Sequence, residues 1–312
     1  MAPYVRRTPV LDTDLGLLKA ESLQVTGSFK PRGAFNKVLR LLEAARDGGP
    51  PVTGLAAVSS GNHAQAVALA GRTLGLPVAV VMPEDSRPNK VAATRDLGAT
   101  VVTEGVTVES RQGRLAELLD ETGYQLVHPF DDWDVIHGQG TAALEILEDH
   151  PGVATVVVPV GGGGLISGTA LVLKAAARPA GRPLRVIGAE PEQAPDAAES
   201  LRTRTHVHRP AGPTLADGAR VPSVGERPFE VIVERGLVDD IVTVPEDAIA
   251  AAAVAMADRA RLVVEPTGAL AVAAVLAGLV PGRPDGTTVA YLSGGNIDPR
   301  RLSDLAATVH SA

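Results

Sequence analysis

Short, almost entirely apolar runs alternate along this chain with longer segments in which small and apolar residues recur at helical spacing. The runs are residues 55–58, 78–82, 99–102, 156–160, 186–189 and 289–292. A strand that shows no polar alternation is buried on both faces, which is typical of parallel sheets covered by crossover helices. The pattern therefore predicts an α/β protein with helices on both faces of parallel-rich sheets.

The composition is that of a globular protein and excludes several other classes. With 312 residues and 45% hydrophobic content, the chain can form two domains and bury a sizeable core. Aromatic residues make up only 3%, so the core must be built from Ala, Val and Leu. The net charge of −7 and the absence of a basic run argue against binding to nucleic acid or to an anionic membrane.

The chain contains no cysteine and no long apolar segment. Disulfides and thiolate metal sites are therefore excluded. No run of about 18 apolar residues is present, and residues 1–7 lack an apolar signal core. We therefore expect a cytoplasmic protein that would bind an anionic substrate through local positive groups such as helix N-termini.

A run of four glycines follows the predicted strand at 156–160. It comprises Gly161, Gly162, Gly163 and Gly164, and Leu165 then begins a predicted helix. Glycine lets successive backbone N–H groups approach an anion, and the helix dipole adds attraction. A dinucleotide fingerprint and the Walker lysine are both absent. The loop is therefore interpreted as a phosphate-binding turn, with a simple tight turn as the alternative.

Lys30 lies in an apolar setting next to Phe29, Ala34 and Phe35. A lysine becomes a good imine-forming nucleophile when burial or a nearby cation lowers its pKa. Most lysines are instead solvent-exposed, and a surface lysine at a helix start is the alternative. It is the surrounding string, residues 26–34, that distinguishes Lys30.

Two further strings lie where predicted strands end. Ser59, Ser60, Asn62 and His63 suit a substrate carboxylate at a helix N-terminus, although an ordinary helix N-cap explains the same residues. Ser293 follows the last predicted strand, and its hydroxyl can face a ring nitrogen without supplying charge. A strand-ending turn is the alternative there.

A polar loop follows the predicted strand at 186–189. Glu190, Ala194 and Asp196 offer two carboxylates and a backbone carbonyl, which suit Mg²⁺ or Ca²⁺. A solvated acidic loop is the alternative. His206 and His208 are interpreted as exposed loop residues.

Taken together, these strings resemble the fold-type II enzymes that use pyridoxal phosphate (PLP), specifically the serine racemase and threonine/serine dehydratase group. Further matching strings lie at 138–141, 215–218 and 265–269, so that the match runs from residue 8 to residue 298. The chain departs from the family in having a single acid in 19–23 and a short segment at 12–17.

The resemblance implies a tryptophan synthase β-like fold of two three-layer α/β domains. The large PLP-binding domain would comprise residues 1–53 and 132–312, and a small inserted domain would comprise residues 54–131. The group is commonly dimeric, so a homodimer is expected.

The resemblance also implies a role for each matched residue. Lys30 would carry PLP as an imine, and Ser60 would face it across the cofactor, which makes these two the implied catalytic residues. The implied cofactor-binding residues are Phe29, Lys30, Asn62, Gly161, Gly162, Gly163, Gly164, Leu165, Gly218, Glu265 and Ser293. The implied substrate-binding residues are Ser59, Ser60, Asn62, His63 and Arg111. A divalent cation, Mg²⁺ or else Ca²⁺ or Mn²⁺, would be held by Glu190, Ala194 and Asp196.

The implied activity is dehydration of L-threonine or L-serine to a 2-keto acid and ammonia, by α-proton removal and loss of the β-hydroxyl. Ser60 keeps serine racemase open as the second hypothesis, although Val221 stands where the animal racemase has a serine. Arg111 makes threo-3-hydroxyaspartate dehydration the third. Two hypotheses from other classes are a PLP- or amino-acid-binding protein without catalysis and a nucleotide-binding sensor.

Overall fold

The computed structural model describes residues 3–86, 88–107, 109–180 and 183–311. The chain divides into two compact units, of which the smaller comprises Met1–Arg6 and Lys30–Gly138 and the larger Arg7–Phe29 and Gln139–Ala312. In the described ranges, no helix is both long enough and apolar enough to cross a membrane.

Strands and helices alternate along most of the chain. In chain order they are β1 Val10–Thr13, β2 Gly16–Lys19, α1 Lys30–Arg46, β3 Leu55–Val58, α2 Asn62–Leu74, β4 Val78–Val81, α3 Pro88–Asp96, β5 Thr100–Val102, α4 Arg111–Thr122, β6 Gln125–Leu126, α5 Trp133–Asp149, β7 Val153–Pro159, α6 Gly164–Ala180, β8 Arg185–Pro191, α7 Asp196–Thr203, α8 Glu226–Phe229, β9 Asp240–Val244, α9 Glu246–Asp258, α10 Pro266–Leu276, β10 Thr287–Tyr291 and α11 Pro299–Ser311.

The smaller unit contains a parallel sheet of four strands in the order β5-β4-β3-β6. Alternate residues of β3 enter two separate cores. Leu55 and Ala57 pack in a core formed with α1 and α2, whereas Ala56 and Val58 pack with Leu115 of α4. Helices therefore cover both faces of this sheet, which explains why its central strand shows no polar alternation.

The larger unit contains a sheet of six strands in the order β1-β2-β10-β7-β8-β9. The β1–β2 pair is antiparallel and the other pairs are parallel. Helix α10 packs against this sheet with Ala269, Ala271 and Ala273, which contact a core that includes Val157 and Ala290. Small residues let the helix backbone approach the strands closely, so this chain fills its interior with few aromatic rings.

The predicted fold class is confirmed, and every apolar run identified in the sequence coincides with a strand to within one residue at each affected end. The strands that the sequence did not reveal are β1, β2, β6 and β9. Three of them, β1, β6 and β9, lie at sheet edges. An edge strand is partly exposed, so it is often short and mixes polar with apolar residues. In the sequence it then looks like a loop.

The strands of the smaller sheet all fall within residues 54–131, the range predicted for the small domain. The compact unit that contains them is wider, since it also takes in residues 30–53 and 132–138. Sheet membership and compactness thus give different bounds, and the domain boundaries stay a prediction.

Candidate active site

Lys30 is the first residue of α1 and is partly buried in the smaller unit. Its ammonium nitrogen donates a hydrogen bond of 2.8 Å to the carbonyl oxygen of Pro129. Burial lowers the pKa of Lys30 to about 8, because desolvation penalises the charged form. A usable fraction of this amine is therefore neutral and nucleophilic near physiological pH.

The loop of residues 59–63 joins β3 to α2 in the same unit. The hydroxyl of Ser59 accepts a hydrogen bond of 3.2 Å from the N–H of Gly61, and α2 begins at Asn62. Ser60 is partly buried in this loop. A helix N-terminus carries positive partial charge and N–H groups without intrahelical partners. The loop therefore leads into a helix N-terminus, and its carboxylate-binding role stays a prediction.

His63 is a buried imidazole that stays neutral. Its Nε2 lies 2.7 Å from the carbonyl oxygen of Val127 and therefore carries the ring proton, while Nδ1 is buried and has no hydrogen-bond partner among the described residues. Burial, followed by the positive charge of Lys30, lowers the pKa of His63 to about 3. His63 and Lys30 thus lie close enough to interact, and the imidazole adds no second positive charge beside the amine.

Arg111 opens α4 and is partly buried. Within the described part of the chain, no side-chain hydrogen bond or ion pair joins it to residues 59–63. Lys90 approaches that loop, since a Cβ on Gly61 would lie 3.3 Å from its ammonium nitrogen. The sequence did not reveal Lys90, because a lysine on a helix outside any motif has no distinguishing pattern.

In the larger unit, the glycine run leads from β7 into α6, as predicted, and its last member, Gly164, is the first residue of the helix. Gly163 has a φ of +86°, and a Cβ there would lie 2.6 Å from Pro228. A Cβ on Gly161 would lie 2.9 Å from the carbonyl oxygen of Gly218. Glycine is therefore required for the left-handed backbone at one position and for close backbone approach at the other. A bare backbone leading into a helix N-terminus suits a phosphate group.

Thr267, in the first turn of α10, connects residues that the sequence assigned to the cofactor. Its hydroxyl accepts a hydrogen bond of 3.0 Å from the N–H of Gly218, and its carbonyl oxygen accepts one of 3.4 Å from the hydroxyl of Ser293. The Ser293 carbonyl oxygen accepts a hydrogen bond of 3.1 Å from the N–H of Phe29. Phe29, Gly218 and Ser293 therefore belong to one hydrogen-bonded cluster, although Thr267 itself was matched only as part of a string.

Helix α10 lies against the turn that follows β10. Buried Glu265 precedes the helix, and its N–H donates a hydrogen bond of 3.1 Å to the carbonyl oxygen of Gly294. A Cβ on Gly268 would lie 3.0 Å from the carbonyl carbon of Gly294 and nearer still to its oxygen. The helix therefore approaches this turn so closely that glycine is needed, which ties Glu265 to the cluster of Phe29, Gly218 and Ser293.

Glu190 and Asp196 form a buried acidic pair in the larger unit. Burial and then the charge of Asp196 raise the pKa of Glu190 to about 8, and burial raises the pKa of Asp196 to about 7. Glu190 accepts hydrogen bonds from two N–H groups of α7. From the described residues, neither carboxylate oxygen of Asp196 receives a well-aligned hydrogen bond, although its own N–H and that of Val224 lie near enough to moderate its pKa. Buried Ala194 lies in the turn between the two acids, so this set fits a divalent cation.

The expectation that His206 is exposed is wrong. Only 16% of its side chain is exposed, and its ring stacks on Phe229 with 4.6 Å between the ring centroids. His208 is exposed, as predicted. The aromatic partner lies 23 positions later in the chain, and local composition carries no information about such a distant contact.

Comparison with known proteins agrees with this geometry. The model of the family described as pyridoxal-phosphate dependent enzyme matches residues 1–294. The L-threonine ammonia-lyase of Thermotoga maritima is 44% identical over 283 residues, which span 90% of this chain and 67% of that protein. The L-threonine dehydratase catabolic TdcB of Staphylococcus aureus is 39% identical over 312 residues, spanning 96% of this chain and 87% of that protein.

Solved structures show the same relationship. The threonine deaminase of T.th. is 46% identical with a TM-score of 0.85, and the match covers 95% of each chain. Maize serine racemase is 34% identical with a TM-score of 0.88, and the match covers 99% of this chain and 94% of that one. The resemblance identified from the motifs is therefore confirmed, and the chain belongs to the family of pyridoxal-phosphate-dependent enzymes, with the fold-type II architecture.

Proposed function

We propose that this enzyme dehydrates L-threonine or L-serine to a 2-keto acid and ammonia. The observation that carries the proposal is the partly neutral Lys30, which lies in the same unit as a helix N-terminus suited to a substrate carboxylate. The relatives named threonine ammonia-lyase and threonine dehydratase, at 44% and 39% identity, support this substrate class.

The residues that would hold PLP are those of the matched strings. Lys30 would bind the cofactor covalently, residues 161–165 would hold its phosphate, Asn62 would bond the ring hydroxyl, and Ser293 would face the ring nitrogen. Phe29, Gly218 and Glu265 would complete its surroundings. The glycine loop and the hydrogen bonds through Thr267 support this set. When bound, the cofactor supplies an electron-accepting ring that makes the α-proton of an amino acid removable.

Lys30 would remove that α-proton. A general base must be neutral before it can accept a proton and basic enough to keep it, and a pKa of about 8 meets both needs near physiological pH. The neutral hydroxyl of Ser293 offers no charge to a ring nitrogen, which weakens electron withdrawal and favours prompt loss of a β-hydroxyl. Lys30 and Ser293 together therefore support elimination.

The loop of residues 59–63 would bind the substrate carboxylate. Ser59, Ser60 and Asn62 supply hydroxyl, amide and backbone N–H groups at the start of α2. We propose that His63 does not bind the carboxylate directly. Its Nδ1 is a hydrogen-bond acceptor, and an ionised carboxylate has no proton to donate to it. Its bond to Val127 would instead anchor the loop.

Serine racemase is the second candidate, and Ser60 is the residue that favours it. A hydroxyl at this position could return a proton to the opposite face of the α-carbon. Maize serine racemase covers almost the whole of this chain with a TM-score of 0.88, which supports keeping this activity open. Dehydration of threo-3-hydroxyaspartate is third, since Arg111 could pair with a β-carboxylate.

Glu190, Ala194 and Asp196 are proposed to bind Mg²⁺, or else Ca²⁺ or Mn²⁺. Two observations support a cation there: the raised pKa values of both acids, and the lack of a well-aligned hydrogen bond from the described residues to either carboxylate oxygen of Asp196. A cation would offset the repulsion between the two acids.

We also propose that the enzyme is a cytoplasmic homodimer. Large apolar side chains exposed on the larger unit would supply surface for a second copy; they are Leu23, Leu144, Val263 and Leu276. Light scattering after size-exclusion chromatography tests the dimer, and a monomer at micromolar concentration would contradict it.

The proposed activity is tested by the absorbance of the purified protein and by its products. L-serine, L-threonine and L-threo-3-hydroxyaspartate should each be supplied while keto acid and D-serine are measured. Keto acid from L-threonine or L-serine supports the dehydratase. D-serine forming faster than pyruvate would favour the racemase, and keto acid from hydroxyaspartate alone would favour the third activity.

The variant Lys30→Ala should lose the absorbance of lysine-bound cofactor and all turnover. Lys37→Ala is the matched control on the same helix. Asp132 and Asp134 hold Lys37 at 2.8 and 3.3 Å and outweigh its partial burial, so its pKa is raised and its amine stays charged. Full activity of Lys30→Ala would refute the assignment.

A further inference from the structure

A cluster of nitrogen and oxygen ligands lies in the larger unit, apart from every residue assigned so far. His206, His208 and Glu226 each offer one ligand atom, and these atoms lie within 4.8 Å of one another. Two imidazoles and one carboxylate form the protein donor set of zinc sites that keep a fourth position for water. The donor set alone therefore indicates a transition-metal cation.

The ring of His206 is already oriented for such a cation. Its Nε2 lies 2.9 Å from the carbonyl oxygen of Val224, which can only accept, so Nε2 carries the proton. Its Nδ1 then has the free lone pair, and it lies 3.5 Å from a carboxylate oxygen of Glu226. A histidine ligand that donates its second N–H to a backbone carbonyl is the usual arrangement around protein-bound metals.

The three ligands can reach tetrahedral spacing with small movements. Bonds of about 2.0–2.1 Å to zinc place tetrahedral ligand atoms roughly 3.4 Å apart. His206 is held in place by Phe229, with 4.6 Å between ring centroids. His208 and Glu226 are exposed, and 77% of the Glu226 side chain is open to solvent. These two are therefore free to close on the fixed ring.

Without a metal, the contacts among His206, His208 and Glu226 contribute little stability. An ion pair to so exposed a carboxylate is weak. The rings of His206 and His208 lie 4.4 Å apart between centroids, which brings one ligand nitrogen of each ring within reach of a single cation. A bound cation would use a lone pair of both imidazoles.

The chemistry of the ligands also separates this cluster from the acidic pair. Glu190 and Asp196 offer oxygen alone, which Mg²⁺ and Ca²⁺ prefer, whereas imidazole nitrogen selects zinc and its neighbours in the first transition series. The hydroxyl of Ser200 connects the two sets, because it accepts a hydrogen bond of 3.0 Å from the N–H of Val207 and donates one of 2.6 Å to the carbonyl oxygen of Asp196.

We propose that His206, His208 and Glu226 bind one Zn²⁺. The ion ties the segment of residues 206–208 to the start of α8, and it holds that segment next to α7 and the acidic pair.

The test is zinc binding by the full-length PLP-loaded enzyme. Protein is dialysed against micromolar ZnCl₂ with excess MgCl₂, and bound zinc is counted by mass spectrometry. Wild type should retain one more equivalent than His208→Gln, and the Glu226→Gln variant should bind zinc more weakly, because a neutral amide replaces the charged carboxylate ligand. His208 is exposed, so its replacement leaves the fold intact.

Two control variants separate this cluster from other zinc-binding groups. His150→Ala removes a histidine outside the cluster, and Asp196→Asn disables the oxygen-only pair; both should keep the extra equivalent. Cobalt in place of zinc should give visible ligand-field bands in wild type and lose them in His208→Gln. Equal zinc content and equal cobalt spectra in wild type and His208→Gln would overturn the proposal, and so would loss of the extra equivalent in Asp196→Asn.

Discussion

Replacing Gly268 by alanine should destabilise the larger unit, although alanine is the better helix former. Gly268 lies in the first turn of α10, where a Cβ would stand 3.0 Å from the carbonyl carbon and 3.1 Å from the nitrogen of Gly294. Its distance to the Gly294 carbonyl oxygen would be shorter than real Cβ atoms essentially ever show. The atoms in the way are backbone, so they cannot turn aside as a flexible side chain would.

The expected loss of stability is about 2 kcal/mol. Alanine in place of glycine gains about 1 kcal/mol inside a helix. Overpacking a close-packed site costs about 1–3 kcal/mol, and backbone neighbours place Gly268 at the upper end of that range. The Gly294 carbonyl also accepts the N–H of Glu265 and follows Ser293 directly, so the shift that relieves the clash should weaken PLP binding as well.

Urea unfolding followed by far-ultraviolet circular dichroism measures this loss, and absorbance titration measures PLP affinity. Gly152→Ala is the control in the same unit, because nothing lies within 4 Å of its added Cβ, and its stability should stay close to wild type. Gly113→Ala, in α4 with equally open space, should gain about 0.5–1 kcal/mol. If Gly268→Ala were as stable as Gly113→Ala, the argument from close backbone approach would be refuted.

Lys30 and the acidic pair of Glu190 and Asp196 should each respond to pH in a direction set by burial. The rate at which PLP-free protein takes up added PLP should rise as pH passes through about 8, because the neutral amine of Lys30 forms there. Stopped-flow absorbance measures this rate, and a rate independent of pH would contradict the prediction. Both carboxyl pKa values, about 8 and about 7, lie above their unfolded values near about 4. The folded state then binds more protons, so without metal this pair makes the free energy of unfolding fall as pH rises from about 4 to about 8. The difference between wild type and Asp196→Asn, measured by urea unfolding with a chelator, gives the part of that fall that depends on Asp196. MgCl₂ in place of the chelator should remove the difference, and the same pH dependence in both proteins would contradict the argument.

The candidate site shows how far motifs carry a prediction. The strings around Lys30, 59–63, 161–165 and 293–296 could be located because backbone geometry at strand ends demands particular residues, glycine above all. The backbone at Thr267 and Lys90 does not require a particular residue type. The positions of these two side chains depend on which elements pack together, and spacing along the chain does not encode that packing.

The sequence by itself determined the α/β class and the family. Unbroken apolar runs require burial on both faces, and that requirement is local enough to read directly, as the two cores on either side of β3 show. Edge strands such as β1 and β9 were not predicted from the sequence, because one exposed side gives them the composition of a loop.

The tertiary structure decided the quantities that depend on burial and on contacts between distant residues. It lowered the pKa of Lys30, kept His63 neutral, and raised the pKa values of Glu190 and Asp196. It also placed His206 against Phe229. Desolvation and packing arise only when segments far apart in the chain meet, and for this reason the motifs could name the reactive groups while only the folded chain set their protonation.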